Sequence, residues 1–223
     1  EYAMTALHWA SLQGNVVNVA ALVDSGAYID SLNNGLNSPL LLAAAAGHVD
    51  VFIYLVDKGA DLYTRNLRDQ DALFMMVMHN RNNRNVNVML DLLVKQGIEV
   101  DTPDASGSTA LYECARTNLS HSIAMLASVG ANVNLLNQHT GVTPLQACCA
   151  NSKPDAETIR TLLDCGAHPN PIAKDDGRAM DMVLDSFFAR YPNGIAEGDA
   201  MDMDVYADFA MNVLPVLMEI AKK

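Results

Sequence analysis

The stretch Thr5–Asp30, TALHWASLQGNVVNVAALVDSGAYID, decides the fold because its landmarks return at a nearly constant spacing. Its ending, GAYID, returns as GADLY, GIEVD, GANVN and GAHPN, whose glycines are spaced 33, 38, 33 and 36 residues apart. Its beginning, TALHWA, returns as SPLLLA at Ser38, DALFMM at Asp71, STALYECA at Ser108 and VTPLQACC at Val142. Two independent landmarks with nearly the same period indicate an architecture built from repeated units.

Within each unit the residues predict two helices separated by a break. A Thr or Ser opens most units, where its side-chain oxygen can accept a hydrogen bond from an unpaired backbone N–H. Pro39 and Pro144 follow at the first helical position, where the missing N–H costs nothing. The first helix is rich in small residues, and the second carries paired aliphatic residues such as Leu92 and Leu93. The glycine that follows suits the left-handed residue that ends a helix.

These residues resemble the ankyrin repeat, a helix-turn-helix-hairpin unit of about 33 residues with a T-P-L-H-x-A signature. The resemblance covers residues 5 to about 170 and implies an all-α fold, a helical solenoid with short hairpin loops. Residues 175–223 are predicted to form a degenerate sixth repeat and a C-terminal capping helix. Residues 1–174 are predicted to hold five repeats, with bounds near 5–33, 38–66, 71–104, 109–137 and 143–170.

The composition of the chain disfavours nucleic acid and membranes as partners, and its cysteines indicate the compartment. The formal net charge is −12, and no Lys or Arg precedes Lys58, so the chain is a poor general binder of nucleic acid or anionic membranes. No apolar stretch is long enough to span a bilayer. The four cysteines form no C-x-x-C pair and are predicted to be free thiols in an intracellular, cytoplasmic setting. Since the chain does not begin with Met, we expect it to be a piece of a longer protein.

His8 and Trp9 are the first candidates for chemistry. The resemblance implies that His8 braces the hairpin by hydrogen bonding rather than acting in catalysis. The other units carry different residues at the same place and are predicted to share no chemistry there: Leu41, Phe74, Tyr112 and Gln146. Trp9, which the other units do not repeat, is predicted to lie at an interface, either with a partner or with a preceding repeat.

No pattern in the sequence predicts a catalytic centre, a cofactor or a metal site. Cys114 and Cys148 occupy the same slot as Ala10, which predicts buried, small apolar side chains. The segment DAMDMDV, 199–205, lacks the glycine and the distal glutamate of a calcium loop. A solvated acidic loop is the interpretation we favour, with adventitious calcium as the alternative.

The resemblance implies that partners bind the hairpin tips and the exposed side of each first helix. At the tips these positions are Asn34, Asn37, Leu67, Arg68, Gln70, Ala105, Ser106, Ser108, His139, Thr140 and Val142. On the helices they are Leu12, Gln13, Ala45, Ala46, Met78, His79, Arg116, Thr117, Ala150 and Asn151. Because these positions vary between units while the core positions do not, they are candidates for recognition.

From these positions and Trp9 we select eleven partner-binding residues: Trp9, Leu12, Gln13, Leu67, Arg68, Gln70, Met78, His79, Arg116, Thr117 and His139. Leu12, Leu67 and Met78 are the apolar anchors. Arg68 and Arg116 can pair with partner carboxylates, although solubilising arginines are an equal alternative. Arg81 and Arg84, in the insertion HNRNNRNVN at 79–87, can bind an acidic or phosphorylated segment.

The sequence therefore predicts a non-catalytic module that binds another protein or peptide through a concave groove and the hairpin tips. The alternative is a regulatory or substrate-recruiting region of a larger multidomain enzyme, such as a kinase or an acyltransferase, which would add further domains of the same chain as partners. Fold alone does not separate the two.

Overall fold

A computed structural model describes residues 3–79, 86–151 and 155–168, together with Pro215. These residues form ten α-helices and contain no strand, as the all-α prediction requires. None of these helices has the length and apolar character needed to cross a membrane. The helices fall into two compact units, 1–110 and 111–223.

The first unit contains three pairs of helices. The first helix of each pair packs against the first helix of the next, and the second helices do the same behind them. The fully buried side chains include Leu41, Phe52 and Leu93, which come from three different helices. The helices are α1 Ala6–Leu12, α2 Val16–Asp24, α3 Pro39–Ala46, α4 Val49–Asp57, α5 Ala72–His79 and α6 Val86–Lys95.

The second unit repeats the same construction with two further pairs. Helix α10 packs against both α8 and α9, and the buried side chains include Leu111, Ile123 and Leu162. The helices are α7 Ala110–Arg116, α8 Ser120–Ser128, α9 Pro144–Cys149 and α10 Ala156–Asp164. The bounds given above for the five repeats stay a prediction.

The predicted start signals lie where they were expected. Thr5, Ser38 and Thr143 are the N-caps of α1, α3 and α9, and each side chain accepts a hydrogen bond from a backbone N–H of the first turn. Pro39 and Pro144 occupy the first helical position. Local chemistry therefore determines where these helices begin.

Asp71 stands where most repeats have Thr or Ser, at the start of the third repeat. Its Oδ1 accepts a hydrogen bond of 2.9 Å from the backbone N–H of Phe74 at the start of α5. The carboxyl group is buried, and this desolvation raises the pKa of Asp71 above its ordinary value of 3.8. The cap is thus made by a group that is poorly solvated when it is ionised.

Asp71→Asn is expected to be more stable than the parent at about pH 7. The native state holds the Asp71 proton to a higher pH than the unfolded chain does, so the native state loses stability as the pH rises from about 4 through the raised pKa. Asn keeps a capping oxygen and removes the charge. Urea unfolding at about pH 3, 5 and 7 measures the difference. Asp91→Asn, at an exposed position on α6, is the control, and a destabilised Asp71→Asn at pH 7 would contradict the prediction.

Several predictions concern residues outside the described ranges. These are the sixth repeat in 175–184, the acidic segment 199–205, Arg81 and Arg84. Of the predicted C-terminal helix, only Pro215 is described, and it is helical and exposed.

Candidate functional site

His8 is a structural brace, as predicted. Its Nδ1 lies 3.1 Å from the Thr5 backbone nitrogen, whose N–H donates to it. The ring proton therefore resides on Nε2, which donates to the Asn37 backbone oxygen at 3.0 Å. The side chain is fully buried. Both ring nitrogens are thus used to tie the start of α1 to the hairpin that precedes α3.

Gln146 does in the second unit part of what His8 does in the first. Its side-chain Oε1 accepts from the Thr143 backbone N–H at 2.9 Å, and the Gln146 backbone N–H donates to Thr143 Oγ1 at 3.2 Å. Thr5 and His8 form the same reciprocal capping box. The prediction that these positions share no chemistry is therefore wrong for this pair, because an amide oxygen and a neutral imidazole nitrogen are both acceptors.

The two cysteines that were predicted to be buried belong to the core. Cys114 and Cys148 are fully buried, and burial raises the pKa of the Cys148 thiol to about 12. A thiol held in this state is a poor nucleophile and a poor metal ligand. Among the described residues, no group of three or more His, Cys, Asp or Glu side chains is placed to hold a metal ion.

Four Asn or Asp side chains shape the hairpin tips, and the sequence analysis missed them. Asn66 Oδ1 accepts from the backbone N–H groups of Arg68 and Gln70 at 2.9 and 3.1 Å. Asn33, Asp104 and Asn137 accept from their own tips in the same way. The signal was an Asn or Asp recurring five or six residues before each cap, a position where these side chains favour turns.

In the first unit the tips are joined into one row, which we call the hairpin ledge and define as residues 33–37, 66–70 and 104–108. The Leu67 N–H donates to the Gly35 oxygen at 3.0 Å, and the Ala105 N–H donates to the Arg68 oxygen at 2.9 Å. These backbone bonds fix neighbouring tips in register. The ledge is therefore a rigid support for the side chains that it displays.

The ledge presents an apolar and a basic side chain to solvent. Leu67 is 67% exposed, and Arg68 beside it is exposed. No carboxylate of a described residue lies within salt-bridge distance of the Arg68 guanidinium. Gln70 is half-buried, and its Nε2 lies 3.4 Å from Asp104 Oδ2. Of the three predicted tip residues, Leu67 and Arg68 are thus the ones directed to solvent.

The predicted helix positions of the first unit differ in exposure. Trp9, Leu12 and Gln13 are all exposed and share one side of α1, because residues three and four apart are neighbours on a helix. His79 is exposed at the end of α5, with Nδ1 3.0 Å from the Met75 oxygen. Met78 is half-buried, so it offers less apolar surface than the sequence suggested.

The second unit contains a concave site, which we call the α7–α9 cup. Its volume is about 460 Å³. It opens between α7 and α9, which are the first helices of two successive repeats, and the hairpin between them. The lining residues are Tyr112, Arg116, Thr140, Val142, Ala147, Ala150 and Asn151. Five of these were mapped from the repeat pattern. Tyr112 and Ala147 were not, because they occupy helix positions that the pattern assigns to packing.

An ion pair fixes the basic side chain of the cup. Arg116 Nε and Nη2 donate to Glu113 Oε2 at 2.9 and 2.6 Å. The Asn151 amide donates to the Arg116 backbone oxygen at 2.7 Å and so joins α7 to the end of α9. Thr117 is half-buried, and its hydroxyl donates to the Glu113 backbone oxygen at 2.7 Å. His139 is exposed on the hairpin. Of the three residues of this unit that were selected among the eleven partner-binding residues, Arg116, Thr117 and His139, only Arg116 lines the cup.

Comparison with known proteins agrees with the repeat pattern. A family model for ankyrin repeats matches three copies, over residues 1–66 and 73–173. The structure is similar to the ankyrin repeat domain of Bcl-3, with a TM-score of 0.72, 23% identity, and coverage of 88% of this chain and 89% of that one. At this identity the likeness concerns the fold.

The relatives include proteins that are named as enzymes. A putative palmitoyltransferase of Danio rerio is 31% identical over 183 residues, which are 81% of this chain and 27% of the relative. An E3 ubiquitin-protein ligase of Arabidopsis thaliana is 29% identical over 174 residues, which are 66% of this chain and 33% of the relative. The matched region thus spans about a third or less of the length of these relatives.

Proposed function

Because the chain belongs to the ankyrin repeat family, we propose that it is a non-catalytic module that holds a partner protein or peptide on two surfaces. One is the hairpin ledge with the exposed side of α1. The other is the α7–α9 cup. Ankyrin repeats are protein-interaction modules, and the assignment of these two surfaces is our own.

The observation that carries the proposal is that some side chains hold the backbone in place while others at the same tips are exposed. Asn66, Thr143 and His8 direct their polar atoms inward and hold the tips and helix starts in place. Leu67 and Arg68 occupy a tip fixed in this way but are exposed. A rigid backbone that displays exposed apolar and basic groups loses little conformational entropy on binding.

Site-specific photo-crosslinking tests the proposal. A photoreactive amino acid at Leu67, or in a separate variant at Arg116, is expected to form a discrete product with a partner in cell extract. The matched control is Val17, which is 73% exposed on α2 and outside both surfaces. The double variant Leu67→Glu, Arg116→Glu is expected to weaken binding of the captured partner by at least about tenfold, since each surface loses an anchor. Equal products at Val17, or unchanged affinity in a folded double variant, would contradict the proposal.

The second candidate function is recruitment within a larger enzyme. It is favoured by the palmitoyltransferase and the ubiquitin ligase, of which the matched region covers 27% and 33%. In that case the module supplies binding and another domain supplies the chemistry. The double variant in the full-length parent is then expected to raise KM for the recruited substrate and leave kcat unchanged. A fall in kcat with an unchanged KM would count against recruitment.

We further propose that the module acts in the cytoplasm, without binding nucleic acid or inserting into a membrane. The net charge of −12 disfavours binding to phosphate-rich surfaces. The four cysteines form no disulfide and three of them are buried, which is compatible with a reducing compartment. Arg81 and Arg84 stay a prediction as a site for an acidic or phosphorylated segment.

A further inference from the structure

We propose that the α7–α9 cup recognises a specific pair of adjacent residues in an extended partner segment, namely an aliphatic side chain followed by a carboxylate. This inference rests on the proposed function and deepens it, because it names the chemistry that the second surface selects. The carboxylate pairs with Arg116, and the aliphatic side chain enters the cup.

The walls of the cup favour an aliphatic side chain. Val142 from the hairpin and Tyr112 from α7 line the cup; Val142 is half-buried and Tyr112 is buried, so each contributes a limited apolar surface. Ala147 and Ala150 are small, and they leave the space between these walls open. The volume of about 460 Å³ is within the range of pockets that enclose part of a ligand.

The charge at the rim favours a carboxylate. Arg116 is the ionised side chain among the lining residues, which include no acid. Its side chain is 55% exposed, whereas that of Glu113 is only 13% exposed. Glu113 therefore acts as a positioning residue behind the guanidinium. It accepts from Nε and Nη2, and a guanidinium has five N–H donors that suit bidentate carboxylate recognition.

The charge of the rest of the chain adds selectivity. The formal net charge of −12 makes the chain as a whole repel an acidic segment. Among the residues that line the cup, Arg116 is the cation, so an acidic residue of the partner is expected beside it, which sets the register of the bound segment. A basic residue at the same place would meet the guanidinium with like charge, so the cup is expected to reject it.

Four pools of fluorescent octapeptides test the inference with the full chain. The pools are identical except for a fixed central pair, which is Leu-Glu, Leu-Gln, Leu-Lys or Gly-Glu. By fluorescence anisotropy, we expect the Leu-Glu pool to bind at least about tenfold more tightly than the Leu-Gln and Gly-Glu pools, a ratio within reach of one charged pair or one buried side chain. The Leu-Lys pool is expected to bind most weakly.

Three variants connect the result to the cup. Arg116→Glu is expected to reverse the preference toward the Leu-Lys pool, and Ala150→Leu to abolish the preference for Leu over Gly by filling the cup. Arg160→Glu, at an exposed position on α10, makes the same charge change outside the cup and is expected to alter nothing. Circular dichroism melting of each variant confirms that it is folded.

The inference is overturned if the Leu-Glu and Leu-Gln pools bind equally, if no pool binds, or if Arg160→Glu matches Arg116→Glu. Preference for a fifth pool with phosphoserine in place of Glu overturns it in favour of a phosphate site. Failure here with successful crosslinking at Leu67 and Arg116 would leave the binding module intact and remove only the sequence preference. Failure of both would remove the proposed function as well.

Discussion

Phe52→Ala is expected to lower the free energy of unfolding by about 3–5 kcal/mol, the largest effect of any substitution considered. Phe52 lies on α4 and is fully buried. Helix α4 packs against α2, α3 and α6, so the vacated volume is enclosed by several helices and cannot be closed by a local shift. The cost includes both the lost transfer free energy and the cavity that remains.

Urea unfolding measures this loss, with Trp9 fluorescence as a probe of the first unit. Trp9 is the single tryptophan of the chain and belongs to that unit. Val17→Ala, on the exposed side of α2, is the control and is expected to change stability by less than about 0.5 kcal/mol. A loss of less than about 1 kcal/mol for Phe52→Ala would show that this side chain is not part of a close-packed core.

His8→Ala is expected to destabilise the first unit by about 2–4 kcal/mol. The imidazole accepts from the Thr5 N–H and donates to the Asn37 oxygen, and it is fully buried. Alanine leaves both backbone groups, which are partly buried, without this partner, and a buried group that loses its hydrogen bond costs about 1–3 kcal/mol. The hairpin before α3 also loses its attachment to the start of α1.

His8→Gln is the matched control for this prediction. Gln146 already closes a capping box on Thr143 with its amide oxygen, so Gln at position 8 is expected to restore the bond to the Thr5 N–H. The bond to Asn37 is harder for the shorter amide to restore, and we expect a residual loss of about 1 kcal/mol. Equal stability of the Ala and Gln variants in urea unfolding would show that the capping bond contributes nothing.

Much of the fold could be predicted from local patterns. Thr5, Ser38 and Thr143 were recognised as helix caps because a cap depends on residues within one turn of the helix. Gly26 and Gly59 were recognised as helix ends, and both have positive φ angles. Cys114 and Cys148 were predicted to be buried because they share a slot with alanine.

The candidate site was predicted less completely, because its parts come from separate segments. The repeat pattern identified Arg116 and Val142 but gave no reason to expect that Tyr112 forms a wall beside them. It ranked Met78 with Leu67 as an apolar anchor, yet Met78 is half-buried and Leu67 is mostly exposed. Exposure depends on which neighbours pack against a side chain, and a pattern within one unit does not contain that information.

The sequence by itself determined the repeated helix pairs, their caps and the apolar slots of the core, since these follow from interactions between residues a few positions apart. Only the tertiary structure decided how the tips are joined and where a cup opens. Leu67 meets Gly35 through the backbone, and the Asn151 side chain meets the Arg116 backbone oxygen. Residues about thirty positions apart meet in these contacts because successive repeats stack. Local propensity does not specify contacts between residues so far apart in the sequence, whereas the packing of one repeat on the next does.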